Sequence, residues 1–200
     1  MTEARWADDG GDTAVFARVA AVINRPGPVT LCLPGGTTPR SIFAALSGLR
    51  LPWDKVTIMP SDERVVPHDH PASNVGALRA AFGATGATIE PLSVGPPVPR
   101  FDLVWLGIGD DGHVASLFPS ANPDPAAPVG VIAVVPVPLP PEAPYPRLTL
   151  TLAALANADE VIVVARGAAK RAVLDAALAG SDLPVARLFG LASVTLYWKP

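Results

Sequence analysis

The stretch FDLVWLGIGDDGHVASLFP, Phe101–Pro119, decides the fold of this 200-residue chain. Its first six residues form a short apolar run of the kind that makes a buried strand. That run passes straight into a turn dense in Gly and Asp that carries one histidine, His113. Gly supplies positive φ and Asp bonds its own backbone, so the turn is accounted for by chain reversal. The histidine is not.

Five other runs match the first: PVTLCL (28–33), KVTIMP (55–60), GVIAVV (130–135), EVIVVA (160–165) and SVTLYW (193–198). They are β-branched and apolar on both faces, the pattern of strands covered on two sides. Amphipathic stretches alternate with them. TPRSIFAALSGL predicts a helix with Thr38 as N-cap and Pro39 in its first turn. SNVGALRAAFG predicts another capped by Ser73 or Asn74, and TLAALANA a shorter one. GAAKRAVLDAALAG places Ala172, Val173, Ala176 and Ala177, with Leu178 at the margin, on one helical face. The alternation predicts a three-layer α/β/α fold with a mostly parallel, Rossmann-like sheet of about six strands. Residues 119–146 hold a large share of the 24 prolines, which suit neither helix interiors nor central strands, and so read as loops flanking a strand. Were they a linker, each half would be left with an incomplete sheet. The expectation is one domain over residues 1–200.

Composition excludes several classes. Half the residues are hydrophobic and mean hydropathy is +0.36, but the longest apolar runs fall well short of the roughly 18 residues a membrane span needs. Net charge is −3 with no Lys/Arg cluster, so the electrostatic footprint of a nucleic-acid binder is missing. The start, MTEARWADDGGD, is acidic where an export signal is basic and then apolar, and the expected setting is the cytoplasm. The single cysteine, Cys32, has apolar neighbours and reads as a strand residue. Any anionic partner must be held by scattered cations: Arg40, Arg64, Arg147, Arg166 and Lys170.

Three loops follow successive strands: PGGTTP, SDERVVP and GIGDDGH. In an open parallel sheet such loops converge on one crevice at the carboxyl ends of the strands, where ligands bind. In the first, Gly35 and Gly36 let backbone approach an anion near a helix start, or merely tighten a turn; Lys-Ser/Thr of a P-loop and the third glycine of a dinucleotide fingerprint are both lacking. In the second, Arg64 suits an anionic ligand and Asp62 an orienting or basic role, unless both are simply a solvated loop. His68 and His70 have H-x-H spacing but read as part of a polar loop rather than as metal ligands. In the third, an imidazole beside the carboxylate of Asp111 is able to take a proton from water, although a histidine satisfied by backbone bonds fits the motif equally well. Ser116 is not in a nucleophile elbow, which makes water the more economical nucleophile.

Taken together, LPGGTTPRSIFAAL, SDERVVPHDHPASN, FDLVWLGIGDDGHVASLFP and PRLTLTLAALANADEVIVVARGAAK resemble the 6-phosphogluconolactonase family in order and spacing over most of the chain. The resemblance implies hydrolysis of 6-phospho-D-glucono-1,5-lactone without metal or organic cofactor; the protein is expected to be a monomer or homodimer. It implies that His113 activates water and Asp111 orients it. Gly35, Gly36, Thr37 and Thr38, with Asp62 and Arg64, and from the far side Arg147 and Lys170, would hold phosphate and sugar. Related deaminases carry a glutamate where this chain has Phe118, which favours lactone hydrolysis over isomerisation or deamination; a sugar-phosphate binder without turnover is the other reading. Two positions depart from the family: Pro34 where serine is usual, and Ser61 where glycine is common.

Overall fold

The computed structural model describes residues 3–139 and 143–200. Ten strands and six α-helices are present among them. In chain order these are β1 (Ala4–Trp6), α1 (Asp12–Ile23), β2 (Val29–Leu33), α2 (Arg40–Ser47), β3 (Val56–Pro60), β4 (Asp62–Arg64), α3 (Asn74–Phe82), β5 (Thr88–Ile89), β6 (Leu103–Leu106), β7 (Val131–Val134), β8 (Arg147–Leu150), α4 (Leu152–Ala156), β9 (Val161–Arg166), α5 (Ala168–Leu178), α6 (Pro184–Leu191) and β10 (Val194–Lys199).

Seven strands form one parallel sheet in the order β1-β10-β9-β6-β2-β3-β5. Successive side chains point to opposite faces, and both faces are apolar. Leu31, Leu33, Trp105, Ile162 and Val164 pack beneath α1, α2 and α3, while Cys32, Val104, Leu106, Val161 and Val163 pack beneath α4, α5 and α6. This is the three-layer fold expected. The run at 130–135 does form a strand, but not in the parallel sheet: β7 pairs antiparallel with β8, and β8 with β4, as a separate three-stranded sheet. Only Val131 of it is buried; Ile132 and Ala133, on opposite faces, are both exposed, as suits an edge strand.

Ser61 joins the two sheets. Its N–H donates to Leu33 O of β2 at 3.0 Å and its carbonyl accepts from Leu150 N of β8 at 3.1 Å, so the chain leaves one sheet and enters the other across a single buried residue.

Two local expectations are corrected. α2 begins at Arg40 with Pro39, not Thr38, as its cap residue, because the Pro39 carbonyl already accepts from Phe43 N; the Thr38 side chain stays exposed. α5 buries Leu174 and Ala177, whereas Ala172, Ala176 and Leu178 are exposed, so its inward face lies about one position from the expected stripe.

Candidate active site

β2 and β6 are neighbours, and the chain winds outward from them in opposite directions, to β3 on one side and to β9 on the other. The loops leaving their carboxyl ends therefore diverge and open a crevice at the switch point. It has a volume of about 370 Å³, within the range that takes a small ligand. Gly35, Gly36, Thr37, Thr38, Asp62, Arg64, His113, Arg147 and Lys170 all line it. A larger groove of about 630 Å³ lies behind the glycine loop against α2 and α3; Arg40, His68 and His70 line it. Arg166 is turned away to pair with Asp12.

Asp111 lies outside the lining but bonds directly to His113, Oδ1 to Nδ1 at 2.6 Å, and also accepts the His113 N–H at 3.2 Å. A carboxylate only accepts, so Nδ1 donates, and in the neutral ring Nε2 keeps the lone pair. The imidazole packs against Gly109, where a Cβ would fall 2.2 Å from ring atoms, and lies tilted 42° to the Phe118 ring at a centroid distance of 4.6 Å.

Arg64 and Arg147 sit directly opposite one another on β4 and β8. Arg147 thus belongs beside Arg64, not on the far side; Lys170 approaches from α5. Each arginine is anchored on backbone carbonyls: Arg64 Nη1 on Ala72 O at 2.7 Å, Arg147 Nε and Nη2 on Tyr145 O and Ala143 O at 3.1 and 2.9 Å. Burial, and then the charge of Arg64, hold the Arg147 guanidinium below its usual value, with Asp62 and Glu63 opposing. The buried Nε of Arg64 has no hydrogen-bond partner among the described residues. Two guanidiniums forced together with donor capacity to spare suit a doubly charged anion.

Asp62 is buried and already engaged. It accepts from Ser116 Oγ at 2.5 Å and from Asn74 Nδ2 at 3.1 Å, and faces Arg147 Nη1 at 3.8 Å. Asn74 in turn occupies the space that a Cβ on Gly35 would need, 2.0 Å from Oδ1. One carboxylate therefore ties together the glycine loop, the arginine strands and the histidine turn. Ser116 is not placed as a nucleophile, and Ala115 before it takes a left-handed φ of 51°. That conformation costs a non-glycine residue about 1–2 kcal/mol and is secured by the bonds of Ser116 to Asp62 and Thr149. Sequence reasoning missed Asn74 and Ser116 as connectors; their signal is a polar side chain within motifs that bury it. Burial, reinforced by Asp62, pushes the Cys32 thiol far above its ordinary range and so keeps it protonated.

Fold and crevice together define the class: a doubly wound α/β protein whose switch point is suited to a small anionic ligand. The family model described as glucosamine-6-phosphate isomerases/6-phosphogluconolactonase matches residues 9–92 and 85–198. The chain belongs to this family. The 6-phosphogluconolactonase of Caulobacter vibrioides is 35% identical over 217 aligned positions, covering 95% of this chain and 91% of that one. That of Pseudomonas putida is 36% identical over 211, covering 93% and 86%. The solved structure of 6-phosphogluconolactonase from Trypanosoma brucei superposes with a TM-score of 0.82 at 25% identity, over 99% of this chain and 97% of that one.

Proposed function

We propose that the protein hydrolyses 6-phospho-D-glucono-1,5-lactone to 6-phospho-D-gluconate, the lactone step of the pentose phosphate pathway, with His113 as general base. The observation that carries the mechanism is the 2.6 Å bond from Asp111 to His113 Nδ1, which leaves Nε2 to accept a proton at the crevice. Nε2 takes a proton from water as its oxygen attacks the lactone carbonyl. Backbone N–H groups of the glycine turns stabilise the tetrahedral oxyanion. The bond from C1 to the ring oxygen then breaks, and the imidazolium returns its proton to that oxygen. Arg64, Arg147, Lys170 and the 35–38 loop hold the phosphate and sugar hydroxyls, and Asp62 holds their holders. The names of the relatives support the reaction, and Phe118 beside the imidazole supports lactone hydrolysis over chemistry that needs a second carboxylate there.

The same reading takes residues 1–200 as one unit, because β1 near the start pairs with β10 near the end. It takes the protein as a cytoplasmic monomer or homodimer that binds no nucleic acid and needs no cofactor. Among the described residues no helix is long and apolar enough to cross a membrane.

The test is the rate of lactone disappearance with purified protein, against the spontaneous blank and against His113→Ala. Acceleration by the wild type, with a loss of about 10²- to 10⁴-fold in the variant, is expected. Acceleration that survives the substitution removes His113 from the role, and none in the wild type overturns the reaction.

A further inference from the structure

The two arginines of the crevice raise a mechanical question. Like charges placed opposite one another on adjacent strands repel, so neither holds the other in place. Their carbonyl anchors lie not on the sheet but on two irregular segments: Ala72 ends the loop after β4, and Ala143 and Tyr145 lie in the approach to β8. The precision of the arginine pair is therefore that of these two segments.

Among the described residues one side-chain pair joins them. The rings of His70 and Tyr145, both half-buried, meet edge to face at a centroid distance of 5.3 Å and an interplanar angle of 77°. Each ring sits next to an anchor. His70 Nδ1 accepts the N–H of Ala72 at 3.1 Å, and the Ala72 carbonyl receives Arg64; the Tyr145 carbonyl itself receives Arg147. His70 is further tied into its turn by its carbonyl, which accepts from Ser73 N at 2.9 Å. Neither ring lines the crevice.

We propose that His70 and Tyr145 are positioning residues that clasp the two anchor segments together and so set the spacing of Arg64 and Arg147 for the phosphate. This rests on the functional reading above only in assigning the arginine pair to the substrate's phosphate. The clasp acts through the arginines and not through His113, so it bears on affinity and leaves the chemical step alone.

The experiment compares wild type with His70→Ala, Tyr145→Ala and the conservative Tyr145→Phe, which keeps the ring. Three quantities are read: KM and kcat for the lactone, and the dissociation constant for inorganic phosphate from an NMR titration. Both alanine variants are expected to raise KM and weaken phosphate binding by about 3- to 10-fold, with kcat falling less than twofold and Tyr145→Phe behaving as wild type. A fall in kcat with KM unchanged, unaltered phosphate affinity, or a phenylalanine variant as impaired as the alanine one overturns the clasp. Should the alanine variants unfold, Tyr145→Leu, which keeps bulk but not the edge-to-face contact, decides: wild-type phosphate affinity there overturns it, and weakened affinity supports it. Phosphate binding that weakens in the variants while even the wild type turns over no lactone sinks the proposed reaction and leaves the clasp standing. Absence of phosphate binding in a wild type that turns over the lactone sinks the clasp and leaves the reaction standing.

Discussion

At the scale of single residues, the exactness of the site resides in contacts that leave no room. Gly109 is the clearest case: a methyl group there would fall 2.2 Å from Cε1 and Nδ1 of His113 and 2.7 Å from Oδ1 of Asp111, inside the bond that orients the ring. Gly109→Ala is therefore expected to lower kcat on the order of 10²-fold, the cost of a misplacement near 1 Å, with the fold intact by circular dichroism. Asp111→Ala should cost a similar amount, and the double variant little more than either single, because both act through one imidazole; additive losses would show that Gly109 works by another route. That His113 and the glycines meet at one crevice, with Asp111 beside the histidine, was legible in the sequence because the loops that carry them follow parallel strands. The roles of Asn74 and Ser116 were not legible. Serine before asparagine at a helix start is explained by capping alone, and nothing local says that Asn74 reaches across to Gly35 and Asp62.

At the scale of elements, the strands covered on both faces were legible as apolar runs, whereas β4 and β8 were not, since Asp62-Glu63-Arg64 and Arg147-Leu148-Thr149 look like polar loop. Their polar side chains are buried because they bond to one another and to the start of α3. Glu63 shows how. Its Oε1 accepts from Asn74 N and Arg64 N, both at 2.7 Å, and its Oε2 from Val75 N at 2.7 Å and Ser73 Oγ at 2.9 Å. A buried carboxylate thus receives four donors and satisfies the first N–H groups of α3, where the helix dipole also favours negative charge. Glu63→Gln replaces one acceptor oxygen by an amino group that meets a backbone N–H in either orientation. The expected loss is about 2 kcal/mol, a fall in melting temperature of roughly 4–8 °C for a chain of this length, measured by calorimetry. An unchanged melting temperature would mean that the carboxylate is not needed as an acceptor and that water or a shifted Ser73 serves α3 equally well.

At the scale of the whole molecule, the site lies where the two sheets meet. The seven-stranded sheet supplies the glycine loop, the histidine turn and, through α5, Lys170; the three-stranded sheet supplies Arg64 and Arg147. Ser61 fastens them in the backbone, the buried carboxylates of Asp62 and Glu63 and the bond from Ser116 N to Thr149 Oγ1 among the polar groups, and Val131 and Leu150 in the shared core. An anion bound between them adds a further fastening and relieves the repulsion from Arg64 that, after burial, holds Arg147 below its usual value. Ligand binding and global stability are therefore coupled. The product 6-phosphogluconate at about 100 times its dissociation constant stabilises the native state by about 2.7 kcal/mol, which for a chain of this length is a rise in melting temperature of roughly 5–10 °C. At the same product concentration Arg147→Met is expected to lose most of that rise, because one of the two facing guanidiniums is gone. Unphosphorylated gluconate should give little shift with either protein. A rise that gluconate reproduces would place the ligand's grip on the hydroxyls, whereas a rise that survives Arg147→Met would move the phosphate toward Lys170 and the glycine loop and leave the small sheet without a part in binding.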